Sequence, residues 1–239
     1  LLLSWFSTDT RRAAVYQTYR QHGDPDYVRR YQAGFARMTD ETAARWVGSW
    51  IRTSDDGGQT WHPPRQVPVT APHGPIQLQN GKLLYLGKLF VTDRAGNHTR
   101  AGQIRAFGSP DHGMTWTLLG EVPLYSGTVE AQYHEPHVVE LPDGKLLGLI
   151  RVQNAEGQPP LENSGLVHFA LHQTESVDGG RTWSQATPLD FHGSPPHLML
   201  HSSGAIVCVY GYRREPFGQR AMISLDGGRE WAYDYILRD

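Results

Sequence analysis

The chain reads as all-β, a β-propeller of four-stranded antiparallel blades, with about four blades present. Two recurring patterns and the composition carry that reading. The first pattern is an octapeptide found four times: Ser54-Asp-Asp-Gly-Gly-Gln-Thr-Trp61, Ser109-Pro-Asp-His-Gly-Met-Thr-Trp116, Ser176-Val-Asp-Gly-Gly-Arg-Thr-Trp183 and Ser224-Leu-Asp-Gly-Gly-Arg-Glu-Trp231. Its frame, Ser-x-Asp-x-Gly-x-Thr-Trp, is broken only by Glu230. Repetition on this scale signals a repeat architecture. Ser and Asp side chains imitate turn hydrogen bonds by bonding to nearby backbone N–H groups, so each copy staples a chain reversal. The Trp that closes each frame opens the next strand and supplies an apolar anchor. Strand-like segments precede the frames, among them Trp46 to Thr53 and Gly102 to Gly108. These Asp residues are therefore structural. A calcium loop of the EF-hand kind is excluded, because its ligand spacing and terminal Glu are absent.

The second pattern lies between the octapeptides. His73 to Lys88, Glu135 to Arg151 and Pro195 to Tyr210 each read as strand, Gly-bearing turn and strand. Each, followed by a stapled hairpin, makes a four-stranded blade. Leu1 to Phe6 reads as the second strand of a blade whose first strand is missing, and the expectation is one propeller domain over residues 1–239, incomplete at both ends. An unclosed propeller exposes strand edges, so poor solubility of the isolated chain is expected.

Composition narrows the function. The net charge of -2 implies no nucleic-acid-binding face, and no run of residues is long enough to span a membrane. The lone Cys208, inside an apolar strand, excludes a disulfide framework. Seven Trp and eleven Tyr in a Gly- and Pro-rich chain suit an all-β scaffold with aromatic-lined loops.

Blade connectivity sorts the loops. The stapled turns and the turns at Gly81, Gly144 and Gly204 share one rim. The opposite rim receives Ser7 to Arg45, Val91 to Ala101, Val152 to Gly165 and Gly211 to Gln219, long polar segments of the kind that carry binding and chemistry. The first of these holds Asp9, Asp24, Asp26, Asp40 and Glu41. Glu135 and Arg151 are symmetric about Asp143, so antiparallel pairing sets them opposite each other at the open end of their hairpin, on this rim. Lys88 holds the equivalent place one blade earlier; Arg213, Arg214 and Arg220 come one blade later. Cations converging from adjacent blades make a carboxylate-binding cluster in which Arg supplies planar forks. The same Glu and Arg also fit a plain cross-strand ion pair.

The octapeptide resembles the Asp box, or bacterial neuraminidase repeat, of the sialidase superfamily, whose propellers have six blades. The stretch from Glu135 to Arg151, with Val-Val-Glu-Leu-Pro-Asp-Gly-Lys-Leu at its centre, is similar to the sialidase segment that carries two active-site residues. The resemblance implies that Glu135 partners a nucleophilic Tyr and that Arg151 belongs to the Arg triad gripping the sialic acid carboxylate. It points to Arg220 as a further triad member, with Arg213 as the alternative. It places the first triad Arg before Leu1 and the nucleophilic Tyr beyond Asp239. The general-acid Asp falls before the first box, where Asp40 is nearest in position. Its neighbours do not copy the family pattern, and a helix-capping role fits Asp40 equally.

The implied activity is retaining hydrolysis of a terminal sialic acid or related acidic sugar, in a class that uses a Tyr nucleophile rather than two carboxylates. The implied partner is a glycan or sialoside, and the implied compartment is secreted or periplasmic. Neither cofactor nor metal is expected: among His134, His137, His192 and His197, the first two lack a helix to align them, and Pro interrupts each cluster. His137 and Tyr133, with Tyr212, are instead expected to line a sugar pocket. The competing class is a non-catalytic glycan-binding propeller that keeps the boxes and lacks the nucleophile.

Overall fold

The computed structural model describes residues 1–9, 24–89, 91–92, 98–99 and 102–239. Its sheets are arranged as the four antiparallel blades of a β-propeller. The first blade holds β1 (Leu2–Ser7), β2 (Gly48–Thr53) and β3 (Arg65–Val67), in that order across the sheet. In the second, the inner position is split between β4 (Val69–Thr70) and β5 (Ile76–Gln77), both paired with β6 (Leu83–Leu89). A small hairpin, β7 (Val91–Thr92) with β8 (His98–Thr99), leads to β9 (Ile104–Ser109) and β10 (Thr117–Glu121), which complete that blade. The third blade runs β11 (Tyr133–Glu140), β12 (Leu146–Val152), β13 (Ala170–Ser176), β14 (Thr187–His192). The fourth runs β15 (Pro196–Leu200), β16 (Ile206–Tyr212), β17 (Gly218–Ser224), β18 (Ala232–Arg238). As the sequence suggests, Leu1 to Phe6 contributes the strand that pairs with the one entering the first stapled turn.

Side chains alternate across a strand, and here both faces of the middle blades are covered by neighbours. Ile51, Val67, Val69, Tyr85 and Phe107 form the core between the first two blades. Leu84 and Leu86, one residue out of phase with Tyr85, join Ile104, Val138, Leu146, Ile150 and Trp183 between the second and third. Leu147 and Leu149, out of phase with Leu146 and Ile150, join Leu171, Leu198, Ile206, Cys208 and Met222 between the third and fourth. The near-continuous apolar runs of β6 and β12 follow from this two-sided burial.

The octapeptides form the stapled turns. Ser54 Oγ donates to Asp56 Oδ1 at 2.8 Å and accepts from Gly58 N at 2.8 Å. Thr60 donates to Asp56 through both its N–H and, at 2.5 Å, its hydroxyl. The same set recurs about Asp111 and Asp178, while Glu230 keeps only its backbone bond to Asp226. Donors gathered on each carboxylate stabilise its ionised form: the Thr115 hydroxyl bond leads in pulling Asp111 down to about 2, and Thr60 and Thr182 likewise lower Asp56 and Asp178. His112, at φ 57°, takes the left-handed place that Gly fills in the other copies.

The segment from Ser7 to Arg45 departs from a plain loop. Residues 10–23 lie outside the described residues, but helices follow at Pro25–Phe35 and Asp40–Trp46. Asp24 accepts from Asp26 N at 3.0 Å where the first begins, and Thr39 caps the second by accepting from Thr42 N at 3.1 Å. Among the described residues no helix is long and apolar enough to cross a membrane.

Three histidines meet where the inner positions of the last three blades come together. His73, just before β5, lies 4.9 Å from His137 and 5.3 Å from His197 between ring centroids, and His137 stacks on His197 at 4.5 Å. His137 Nδ1 accepts from Leu198 N at 2.8 Å, clipping β11 to β15. Burial, then the neighbouring imidazoles, holds His137 down to about 3 and His73 down to about 4. Burial likewise holds His172 at about 4. These groups fold neutral and take up a proton near their ordinary 6.5 once unfolded. Their contribution to stability is therefore complete above that pH and is lost as pH falls below it.

Two outcomes are expected. The urea midpoint rises between pH 5 and pH 7, and His137→Asn, which keeps an acceptor for Leu198 N, shows a shallower rise; an equal slope in both proteins contradicts the assignment. A Cβ at Gly228, where φ is +91°, would meet Leu147 Cδ1 at 2.0 Å, whereas at Gly204, with φ +88°, it meets nothing within 4 Å. Gly204→Ala should cost about 1 kcal/mol in strain, and Gly228→Ala about 1–3 kcal/mol more in overpacking. Denaturant titration of the two variants checks the difference.

Candidate functional site: an arginine cluster between the third and fourth blades

Alternation along β12 decides where Arg151 points. It shares a face with Leu147 and Leu149, so it lies at the loop-rim end of the core between the third and fourth blades. Its Nη1 donates to Glu135 Oε2 at 2.5 Å, and its Nη2 bonds Gln153 Oε1. The expected Glu–Arg pair is thus formed, by a route that differs from simple cross-strand pairing. His134, not Glu135, stands opposite Arg151, because the register slips between His134 and His137. Pro136 has no N–H to give the ladder, and the strand bulges there. Glu135 takes φ 44°, a left-handed conformation that costs a non-Gly residue on the order of 1–3 kcal/mol and clusters at functional sites.

The bulge also sets the fate of Tyr133. A regular strand would put Tyr133 on the face of His137; the extra residue moves it to the face of Val138, in the core with the second blade. Its side chain is 0% exposed. Its hydroxyl meets Tyr125 N at 3.1 Å, Thr128 Oγ1 at 2.9 Å and His172 Nδ1 at 3.2 Å. Tyr133 and His137, both expected in a sugar pocket, are therefore engaged in packing and in the inter-blade clip. Lys88 is buried, and its Nζ donates to the Tyr133 carbonyl at 2.8 Å.

The fourth blade brings further cations to the same interface. Arg213 Cζ stands 5.6 Å from the centroid of Phe169, and Arg151 Cζ stands 5.2 Å from the same centroid. Arg213 is exposed, and its Nε donates to the Ser194 carbonyl at 2.9 Å. Arg220 shares the β17 face of Met222 and is only 4% exposed. It lies 5.0 Å over the Tyr212 ring and pairs with Asp239 at 2.9 Å. Arg214 Nε donates to the Tyr212 hydroxyl at 2.7 Å. Of the two triad alternatives, Arg213 is the one that shares a ring with Arg151; Arg220 is buried deeper, behind Tyr212.

Asp40 begins the helix Asp40–Trp46, exposed in its first turn where an acid favours the helix dipole. Of the three clustered histidines, His137 stacks on His197 while His73 is tilted against both, its Nδ1 3.3 Å from His197 Nδ1. Among the described residues no group of three His, Cys, Asp or Glu is arranged to hold a metal ion. Sequence reading missed Phe169, which looks like an ordinary apolar residue entering β13.

Comparison with known proteins places the architecture. The model of the BNR repeat-like domain matches residues 35–239. A Dyadobacter fermentans protein of unknown function shares the fold with a TM-score of 0.64 and 22% identity, over 81% of this chain and 53% of that one. The NanB sialidase of Streptococcus pneumoniae gives 0.55 and 18%, over 80% of this chain and 29% of that one. A Hadza microbial sialidase gives 0.54 and 15%, over 80% and 46%. The chain thus spans about half, or less, of these larger proteins. No curated protein sequence matches it. Repeats, blades and family model agree: the chain belongs to the BNR repeat-like domain family and has the sialidase-type propeller fold.

Proposed function

We propose that this propeller recognises a terminal acidic sugar of a glycan, with sialic acid as the first candidate, and serves its retaining hydrolysis. One observation carries the reading: Arg151 and Arg213, from adjacent blades, flank one aromatic ring at the loop-bearing rim. Guanidinium forks match a carboxylate, and bonds between two charged partners are the strong ones. Arg151 is prearranged by Glu135 and Gln153, which hold two of its terminal N–H groups. An incoming carboxylate would take over part of that bonding and release Glu135. The freed Glu135, held on a strained bulge beside the sugar, is then available as a base for the proton of a phenol nucleophile. That nucleophile belongs, in this reading, to a Tyr outside the 239 residues. Arg220 is a second-row cation that raises the local positive potential, and Asp40 is the candidate for protonating the leaving oxygen.

A non-catalytic glycan-binding propeller is the second reading. It is favoured by the resting Glu135–Arg151 pair, which already satisfies the acid. The two readings share the carboxylate grip and differ in turnover.

Titration of N-acetylneuraminic acid into the chain, followed by amide NMR, tests the grip. Arg151→Ala should weaken binding about 10- to 100-fold, the worth of one charge-assisted bond of about 1.5–3 kcal/mol. Unchanged affinity would remove Arg151 from the site. Release of sialic acid from a sialoside by the polypeptide extended through the next blade, abolished by Glu135→Gln, separates the enzyme from the binding module.

A further inference from the structure

We infer that Phe169 is a positioning residue for anion recognition: its ring fixes Arg151 and Arg213 relative to each other, so that the two guanidiniums act as one carboxylate-selective site. The inference rests on the reading of those two arginines as the carboxylate grip, and deepens it by naming what sets their spacing.

Several observations single out this ring. Phe169 belongs to none of the three cores that hold the blades together, and it is only half-buried, so packing of the fold does not account for it. Its φ is 55°, a conformation a bulky residue adopts only where surroundings enforce it. The enforcement is visible on both sides. The Phe169 carbonyl accepts from Gly193 N at 2.7 Å, the His168 ring lies 4.0 Å away between centroids, and the next residue, Ala170, is paired with both Val152 and His192. His168 is itself anchored, its Nδ1 accepting from Asn154 N at 3.0 Å.

What the ring does follows from its charge distribution. Two guanidiniums brought to one place repel each other, and free Arg side chains would splay apart into solvent. An aromatic face is negative and attracts a cation, while the ring edge is positive. With Arg151 and Arg213 both drawn to Phe169, the ring offsets part of the repulsion and shortens the list of rotamers each arginine visits. An anion that approaches along the ring edge then meets positive potential from the edge and from both forks. A neutral sugar or ester meets the same shape without that gain. Leu at this position would keep the apolar bulk and lose the alignment; Tyr would keep both.

The test compares wild type, Phe169→Leu and Phe169→Tyr in two measurements. Side-chain NMR on the wild type should show nuclear Overhauser contacts from the Phe169 ring to the δ protons of both Arg151 and Arg213, with ring-current-shifted Nε–Hε resonances. Absence of contacts to either arginine overturns the inference, whatever the ligand. Titration with N-acetylneuraminic acid and with its methyl ester supplies the second measurement. Phe169→Leu should lose about tenfold in affinity for the acid, the worth of the cation–π contacts, with the ester unchanged, and Phe169→Tyr should restore the acid to wild-type binding. Equal affinity of wild type and Phe169→Leu for the acid, or an equal loss for acid and ester, overturns it as well. If wild type binds neither compound while the ring contacts are present, the sialic acid reading falls and the arrangement of the arginines stands.

Discussion

The second strands of the two middle blades, β6 and β12, are buried on both faces, and most of the structure follows from that. The second and third blades must present apolar side chains on both faces, one residue out of phase, to two neighbours at once. A single-residue slip in such a strand exchanges its two cores. That constraint explains why β6 and β12 read as near-continuous apolar runs, broken only by Lys88 and Arg151 toward their ends. It also explains why the slip at Glu135 and Pro136, which falls between β11 and the doubly buried β12, is consequential. The slip sends Tyr133 into one core and lifts Glu135 out of the ladder altogether. An acid released from the alternation is free to reach sideways to Arg151.

The stapled turns serve that constraint from the opposite rim. The Ser–Asp–Thr bonds that staple them are local, formed between residues no more than four apart, and in the fourth turn Lys145 and Gln173 of the third blade add bonds to the Gly227 and Gly228 carbonyls. The turn glycines then leave room for side chains of the preceding blade to pack on them. Gly228 against Leu147 and Gly113 against Ile51 are the tight cases. The rim carrying the turns is therefore the rigid one. The other rim, with its long connections, is left to gather polar groups from different blades.

Legibility in the sequence tracks this division. The octapeptides were plain because their chemistry is local and repeated. The Glu135–Arg151 pair was legible because both residues are counted from the same turn. The bulge that makes the pair was signalled only by Pro136, whose missing N–H could equally have fallen on a harmless edge. Tyr133 and His137 were expected in a sugar pocket from residue type alone, which does not record that the bulge turns Tyr133 into a core or that His137 bonds Leu198 N. The helices after residue 24 had their signals in Asp24-Pro25-Asp26 and in Thr39, which loop composition obscured. Phe169 had none, since its meeting with two arginines depends on a positive φ and on a neighbouring blade, neither of which a linear pattern records.

The central claim is that the third and fourth blades together hold a carboxylate-binding site. A crystal structure of the chain with N-acetylneuraminic acid bound tests it most directly. The account predicts the sugar carboxylate within hydrogen-bond distance of both Arg151 and Arg213, beside the edge of Phe169, with Glu135 turned away from Arg151. A sugar seated elsewhere, or one whose carboxylate faces solvent while the Glu135–Arg151 pair stays intact, would contradict it.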